Sequence, residues 1–331
     1  MKNATFFLGL TTSLFLAGGV MAQDSDALSI AMLIPGKIDD NGFMEAGYNG
    51  LLRIEKEFGA KIAYRDQVTP KPEELAEALR DLAKTGPDMV IAHGGQANQA
   101  AETVAAEFPE IPFVVVQGNV TGPNLSSYEV LQEDSAWLAG AMAGLMTKSG
   151  VVGHISGIRV PPGLKGRGGF YNGLMHTKPD ATFLTTFAGN QDDVALAGRA
   201  AQAEIDGGAD IIFTMLNAGR QGASDAMRAA KVRQIGNVID WTTVDPEVYV
   251  ASALADVSIP SVEAVRDLKD GNWKPETVKH IGLANAEAVS LSYAPDVPAE
   301  IKDQIAKLRE QIISGEIKVE TSYDGPEITV E

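Results

Sequence analysis

Two adjacent carboxylates, Asp39 and Asp40, follow the apolar run that ends at Ile34 and lie in the stretch PGKIDDNGF, which ends at Phe43. Close carboxylates split their pKa values and can divide the roles of general acid and general base, so the pair could serve a hydrolase. An Asp before a helix also caps it, because its side chain accepts hydrogen bonds from the first free amides. We predict that Asp39 caps the following helix and that Asp40, Asn41 and Phe43 contact a ligand.

A second carboxylate lies beside a ring in the later part of the chain. Asp240 follows the apolar pair Val238-Ile239 and directly precedes Trp241. A carboxylate accepts hydrogen bonds from hydroxyls, and a neighbouring ring offers a flat apolar face, which together suit sugar and nucleoside recognition. We therefore predict that Asp240 and Trp241 also contact the ligand.

Other polar turns follow predicted strands. Gly94 and Gly95 could bring backbone close to a ligand or simply form a tight turn, and both interpretations stay open. The glycine-rich stretch 163–173 has neither the order of a P-loop nor G-x-G-x-x-G spacing, so it predicts no dinucleotide site. Asp192 is predicted to cap a helix. The remaining predicted ligand contacts are Phe170, Asn190, Asn217 and Gly219.

The composition excludes several kinds of chemistry. The chain has no cysteine and therefore neither a disulfide framework nor a thiolate nucleophile. Its four histidines lack metal-ligand spacing, and no G-x-S-x-G or H-E-x-x-H motif occurs. A formal net charge of -17 repels nucleic acid and anionic membrane surfaces. We expect no cofactor, no metal site and no nucleic-acid partner.

Residues 1–22 have the form of a secretory signal peptide. Lys2 supplies a short basic region, residues 4–19 are apolar and free of acids, and the small residues that end at Ala22 suit cleavage. The apolar run is shorter than the ~20 residues of a membrane-spanning helix. There is also no cysteine for acylation. We predict an exported periplasmic protein that is cleaved after Ala22 and is not a lipoprotein.

Buried apolar runs, which must position these residues, alternate with amphipathic segments in two successive series. The strands are predicted at 29–34, 61–66, 89–92 and 113–117, then at 151–155, 182–187, 211–215 and 237–239. The helices are predicted at 45–58, 71–84, 96–108, 136–147, 167–177, 194–206 and 221–231. This α/β alternation predicts two doubly wound parallel-sheet lobes. Such sheets bind ligands outside the carboxyl ends of their strands.

The domain boundaries follow from the same pattern. A chain of 331 residues exceeds the ~250 to 300 at which one core usually divides. We predict an N-terminal lobe at 27–145, to which 252–285 returns. The C-terminal lobe is predicted at 146–251, with 290–331 packed against it.

Four segments resemble a known family. They are GKIDDNGFMEAGYNGL at 36–51, VAAEFPEIPFVVVQG at 104–118, WLAGAMAGLMTKSGVVGHISG at 137–157 and SGEIKV at 314–319. The third is the most specific. Over most of its length the chain resembles the basic membrane protein (BMP) family of ABC-transporter solute-binding proteins. That resemblance implies the type I periplasmic binding fold, with two α/β lobes joined by three hinge crossovers.

The resemblance also implies a function. The best known members of the family bind purine nucleosides and deliver them to an ABC permease. The family's first-turn pattern falls on Asp40 and Phe43, and its ribose-binding aspartate falls on Asp240. Four positions depart from the family pattern: Met44 replaces asparagine, Ala97 phenylalanine, Gln117 aspartate and Ala255 lysine.

The resemblance therefore predicts a monomeric receptor, not an enzyme, whose ligand is a purine nucleoside or nucleobase. A receptor for a monosaccharide or other sugar-like ligand fits the same residues, with Trp241 supplying the ring that is missing at Ala97. Such a receptor could serve either a permease or a membrane sensor. The rival outside the binding proteins is a hydrolase that uses Asp39 and Asp40, and it differs in that it would turn its ligand over.

Overall fold

The computed structural model describes Met1, residues 27–40 and residues 42–330. The predicted signal peptide, apart from Met1, lies outside the described residues, and so does Asn41. The strands are β1 (Ser29–Ile34), β2 (Lys61–Asp66), β3 (Met89–His93), β4 (Phe113–Val116), β5 (Leu125–Val130), β6 (Val151–Ser156), β7 (Thr182–Phe187), β8 (Ile211–Met215), β9 (Arg233–Val238), β10 (Tyr249–Ala255), β11 (Val278–Ile281) and β12 (Val289–Tyr293).

Helices connect most of these strands. They are α1 (Phe43–Phe58), α2 (Pro72–Ala83), α3 (Asn98–Glu107), α4 (Gln132–Met146), α5 (Pro161–Thr177), α6 (Val194–Asp206), α7 (Arg220–Ala230), α8 (Ile259–Lys269) and α9 (Ala299–Ile313). Short 3₁₀ turns cover Gly95–Ala97 and Trp241–Thr243. Both α2 and α5 begin with proline, which suits a first turn because the missing amide would have no intrahelical acceptor there.

The strands form two six-stranded sheets, one in each lobe. The first has the order β2-β1-β3-β4-β5-β11, and its strand pairs are parallel. The second has the order β7-β6-β8-β9-β10-β12, in which only β12 runs antiparallel to its neighbour. Central strands such as β3 are buried along their whole length, as expected for sheets covered on both faces. The predicted pair of doubly wound lobes is confirmed.

The chain passes between the two sheets three times. The first crossover joins β5 to β6 through α4, the second joins β10 to β11 through α8, and the third runs directly from β11 to β12. These are the three crossovers that the family resemblance implied.

The first crossover comes earlier than the sequence predicted. Helix α4 packs directly against α5 of the second lobe through glycines: a Cβ at Gly173 would overlap the carbonyl of Trp137, and one at Gly169 would lie 2.5 Å from the carbonyl oxygen of Glu133. The predicted boundary after residue 145 was therefore wrong, and α4 lies with the second lobe. Strand β10 also stays in the second sheet through Ala255, so the return to the first lobe begins after that residue.

The C-terminal segment lies along the second lobe. Asn172 of α5 donates to the carbonyl of Ser322 at 3.1 Å, and the amide of Ile328 donates to the carbonyl of Thr185 in β7 at 2.9 Å. Across the residues that the structure describes, no helix combines the length and the apolarity needed to cross a bilayer.

Candidate functional site

The first lobe contributes the turn between β1 and α1, which follows the carboxyl end of β1. Asp40 caps α1: its Oδ1 accepts from the amides of Gly42 at 2.9 Å and Glu45 at 3.0 Å, and its Oδ2 accepts from Met44 at 3.3 Å. The expectation that Asp39 is the cap was wrong, because Asp40 stands within reach of the first free amides while Asp39 is exposed. With Asp40 engaged in this way, the pair is poorly arranged as a general acid and base.

Phe43, the first residue of α1, lies against a histidine of the neighbouring strand. The rings of Phe43 and His93 are 4.2 Å apart at their centroids and are inclined by 30°. His93 Nε2 also lies 2.7 Å from the carbonyl oxygen of Phe43. His93 is completely buried, whereas Phe43 keeps part of its surface exposed. The first-lobe edge therefore presents a partly exposed ring on a buried support.

Gly94 and Gly95 continue from β3 into the 3₁₀ turn. Gly94 has a φ of 111°, a conformation that favours glycine. A Cβ at Gly95 would lie 2.7 Å from the carbonyl oxygen of Gln117 at the end of β4. Both glycines therefore have a packing reason within the protein, and Ala97 after them is fully buried.

In the second lobe the turn after β7 is organised by its own side chains. Asn190 Oδ1 accepts from the amides of Asp192 at 2.8 Å and Asp193 at 3.2 Å. Asp193, and not Asp192 as predicted, caps α6 by accepting from the amide of Leu196 at 2.9 Å. Asp192 instead accepts from the amide of Ala218 at 3.2 Å, which joins this turn to the turn after β8.

The turn after β8 brings the two lobes into contact. A Cβ built at Gly42 of the first lobe would lie 3.2 Å from Asn217 Oδ1 of the second. The amides of Asn217 and Gly219 both donate to the carbonyl of Gln191, at 3.1 and 3.0 Å. Asn217 thus stands directly opposite the start of α1, whereas Gly219 is buried and serves the packing of the two turns.

Asp240 follows β9, the neighbour of β8 in the second sheet. Its Oδ1 accepts from the amide and the hydroxyl of Thr242, at 3.0 and 2.6 Å, and from Ser292 Oγ at 2.7 Å. Burial raises the pKa of Asp240, but these hydrogen bonds outweigh burial and leave the pKa below its usual value. Asp240 is therefore an ionised, partly exposed acceptor with a fixed orientation.

Trp241 has less free surface than the sequence suggested. Its ring lies on Gly236, where an added Cβ would clash with Cδ1, and the Arg220 guanidinium lies 3.3 Å from the ring centroid. Its Nε1 donates to the carbonyl of Asn237 at 3.0 Å. The ring is packed between the sheet and Arg220, while part of Trp241 stays exposed.

Phe170 lies in the core of the second lobe. It has no exposed surface, and its ring stacks on Phe213 at 4.8 Å. The expectation that it contacts a ligand was wrong, because α5 turns this face towards the sheet and α4.

Three contributors at these edges were missed by sequence reasoning. His93 supports Phe43, and Ser292 of β12 orients Asp240. Lys165 of α5 reaches Glu129 of β5 at 2.5 Å and so forms an ion pair between the lobes. Of these three residues, only His93 could have been found from the sequence, because it follows a buried apolar run and directly precedes two glycines. No group of three or more metal-ligating side chains occurs in residues 27–40 or 42–330.

A comparison with models of protein families identifies the family of this chain. A family model described as "ABC transporter substrate-binding protein PnrA-like" matches residues 27–322. The chain belongs to this family. By the description of its family, the protein is a solute-binding protein of an ABC transporter.

Individual relatives are distant. The transcriptional activator protein Med of Bacillus subtilis is 23% identical over 84% of this chain and 86% of its own. A purine-binding protein of Brucella abortus is 22% identical over 96% of this chain and 88% of its own. A putative ABC transporter glucose-binding protein of Haloferax volcanii is 23% identical over 90% and 75%. Their names differ in ligand and role, so they do not fix the ligand of this chain.

The fold is also seen in solved structures. An ABC-transporter solute-binding protein from Conexibacter woesei aligns with a TM-score of 0.71 and 23% identity, covering 89% of this chain and 99% of its own. At this identity the likeness establishes the shared fold.

Proposed function

We propose that this protein captures a purine nucleoside or nucleobase between its lobes and delivers it to an ABC permease. One observation carries the proposal: Gly42 beside Phe43 in the first lobe meets Asn217 of the second lobe. A ligand that touches both edges stabilises the form in which they are close, and this differential contact drives closure.

The residues at the two edges suit the two parts of a nucleoside. The exposed part of Phe43 offers an apolar face to a flat base. Asp240 is ionised and partly exposed, and a carboxylate has several acceptor sites, so it can also accept from a ribose hydroxyl. Asn217 adds an amide that can both donate and accept. Asn41 stays a proposed contact from the sequence, and Asn190 contributes by shaping the turn next to Asn217.

A sugar-like ligand is the second candidate, and the packing of Trp241 favours it. With the ring of Trp241 held between Gly236 and Arg220 and with alanine at position 97, we take Phe43 as the stacking ring. A single ring next to a carboxylate suits a monosaccharide, and one relative is named as a putative glucose-binding protein.

Calorimetric titration with adenosine, hypoxanthine, ribose and glucose separates the two candidates. The proposal expects adenosine or hypoxanthine to bind and Phe43→Ala to weaken that binding about tenfold or more, because the stacking surface is lost. Binding of glucose or ribose alone would support the second candidate. If no compound binds, and mass spectrometry of the purified protein finds no small molecule, the receptor proposal fails.

The cellular part of the proposal has separate tests. We propose a periplasmic monomer, cleaved after Ala22, that releases its ligand unchanged. Mass spectrometry of the secreted protein should give Gln23 as the first residue, and light scattering should give the mass of one chain. Incubation with adenosine should return adenosine, whereas a cleaved product would favour the hydrolase. Ligand uptake in vesicles that contain the permease distinguishes transport from delivery to a sensor.

A further inference from the structure

His93 contacts Phe43 in two ways at once. Its ring lies 4.2 Å from the Phe43 ring, and its Nε2 lies 2.7 Å from the Phe43 carbonyl oxygen. These contacts join the last residue of β3 to the first residue of α1. The orientation of the Phe43 ring therefore depends on a residue of the adjacent strand as well as on its own helix.

The protonation of His93 fits this arrangement. Burial lowers the pKa of His93 to about 4, although the hydrogen bond to Phe43 and the charge of Asp40 oppose the shift. The imidazole is thus neutral at pH 7. Since a carbonyl oxygen can only accept, Nε2 carries the proton, and the buried Nδ1 has no hydrogen-bond partner in the structure.

Helix α1 leaves room for this ring at one position. A Cβ at Gly47 would lie 2.6 Å from both Cγ and Cδ2 of His93, closer than ordinary side-chain contacts. Any side chain at this position would push the imidazole away from its present place. Gly47 and Phe43 thus hold His93 from two successive turns of α1.

We propose that His93 is a positioning residue, which fixes the Phe43 ring as the first-lobe wall for a flat ligand. The proposal rests on the function proposed above. His93 covers one face of Phe43 and leaves the exposed part of the ring for the ligand, so ligand, Phe43 and His93 form one stack. In this way the His93 ring of β3 supports the ligand-binding ring of Phe43. The nearby position 97 holds a buried alanine and supplies no ring.

The test combines His93→Leu and Phe43→Ala singly and together, with adenosine as the probe in calorimetric titrations. His93→Leu should weaken adenosine binding about fivefold to tenfold, because the ring of Phe43 loses its support. In the Phe43→Ala background it should cause no further loss. Equal losses in both backgrounds, or unchanged affinity of His93→Leu, would overturn the proposal.

His154 provides the matched control. It is equally buried, in β6 of the second lobe, and its ring nitrogens contact Thr185 Oγ1 at 2.8 Å and Ser156 Oγ at 2.9 Å. His154→Leu should lower the melting temperature while adenosine affinity stays within about twofold of the parent. If His154→Leu lost as much adenosine affinity as His93→Leu, replacing either buried histidine would weaken binding. That result would contradict a positioning role for His93.

Hydrogen exchange tests the positioning role of His93 in the absence of a ligand. In His93→Leu, and in Gly47→Ala if the first variant does not fold, exchange should accelerate in the peptide that contains residues 43–50 before it does so elsewhere in the first lobe. Unchanged local exchange would overturn the proposal. If neither adenosine nor hypoxanthine binds the parent protein, the proposed ligand class fails, and the exchange result alone decides the role of His93.

Discussion

The two lobes end their fourth strands in the same unusual way but support those ends differently. Gln117 after β4 and Val238 at the end of β9 both have positive φ, 56° and 69°, although neither is glycine. Gln117 is held by the next strand: its amide donates to Tyr128, and its side chain accepts from the amide of Val130 at 2.6 Å. Val238 is paired with Leu254 of β10, and the turn after it is closed by main-chain hydrogen bonds from Ile239 to Asn237 at 2.8 Å and from Trp241 to Ile239 at 3.1 Å.

The difference shows where each lobe tolerates strain. A branched side chain at positive φ costs about 1 to 3 kcal/mol and persists only when the surroundings enforce it. In the first lobe the Gln117 side chain itself hydrogen-bonds to Val130 of the next strand, and Phe43 lies separately against His93. In the second lobe the strained residue lies two positions before Asp240, so the backbone of the candidate site carries the strain itself.

The largest expected effect comes from the buried histidine of each lobe. Burial lowers the pKa of His93 to about 4, and burial together with the charge of Arg167 lowers that of His154 to about 3. Because both values lie below the unfolded value, each neutral ring contributes stability that is complete above pH 6.5 and is lost as the pH falls. By pH 4 each should have removed about 3 kcal/mol from the free energy of unfolding.

Urea unfolding of the parent, His93→Leu and His154→Leu between pH 7 and pH 4 checks this. Each variant should flatten the acid side of the stability curve, and the parent-minus-variant difference isolates the histidine from other titrating groups. If both variants lose stability with acid as steeply as the parent, the histidines are not the cause.

A smaller effect is expected at the carboxylate of the second lobe. Asp240→Asn keeps an acceptor for Thr242 and Ser292 but removes the charge, and it should weaken adenosine binding about tenfold to thirtyfold with little change in melting temperature. Asp245→Asn is the matched control, because that carboxylate pairs with Arg228 near the same turn. Unaltered affinity of Asp240→Asn would remove Asp240 from the site.

The smallest effect tests the strained pair directly. Val238→Gly should raise the free energy of unfolding by about 1 kcal/mol, because glycine adopts positive φ without strain. Gln117→Gly should instead lower it by about 1 kcal/mol, because the hydrogen bonds to Val130 disappear. Two changes of the same sign, measured by urea unfolding, would show that the lobes support their strand ends alike.

Much of the fold followed from the sequence because strands and helices differ in the local spacing of their apolar residues. Strands β1, β2, β7 and β8 have the bounds that their apolar runs predict. The sequence pattern assigned no strand to β5, β10, β11 or β12 and placed no boundary before α4. Their positions depend on which sheet each one joins.

The candidate site, like the fold, could be predicted only in part from the sequence. That Asp40, Phe43, Asn217 and Asp240 lie after strands could be predicted, since each follows an apolar run. Which of two adjacent carboxylates caps a helix could not be predicted, because Asp39 and Asp40, or Asp192 and Asp193, differ only in how their side chains meet the free amides.

The sequence alone determined the alternation of strands and helices, the two-lobe class and the polar turns at the strand ends, because these depend on local periodicity and residue type. The tertiary structure decided that α4 belongs to the second lobe, that Phe170 is buried in the core, that Trp241 packs against Gly236 and Arg220 and that His93 lies against Phe43. Each of these depends on contacts between residues far apart in the chain. The fit of a ring against a glycine, or of a carbonyl against a helix, is set only when the sheets and helices have come together.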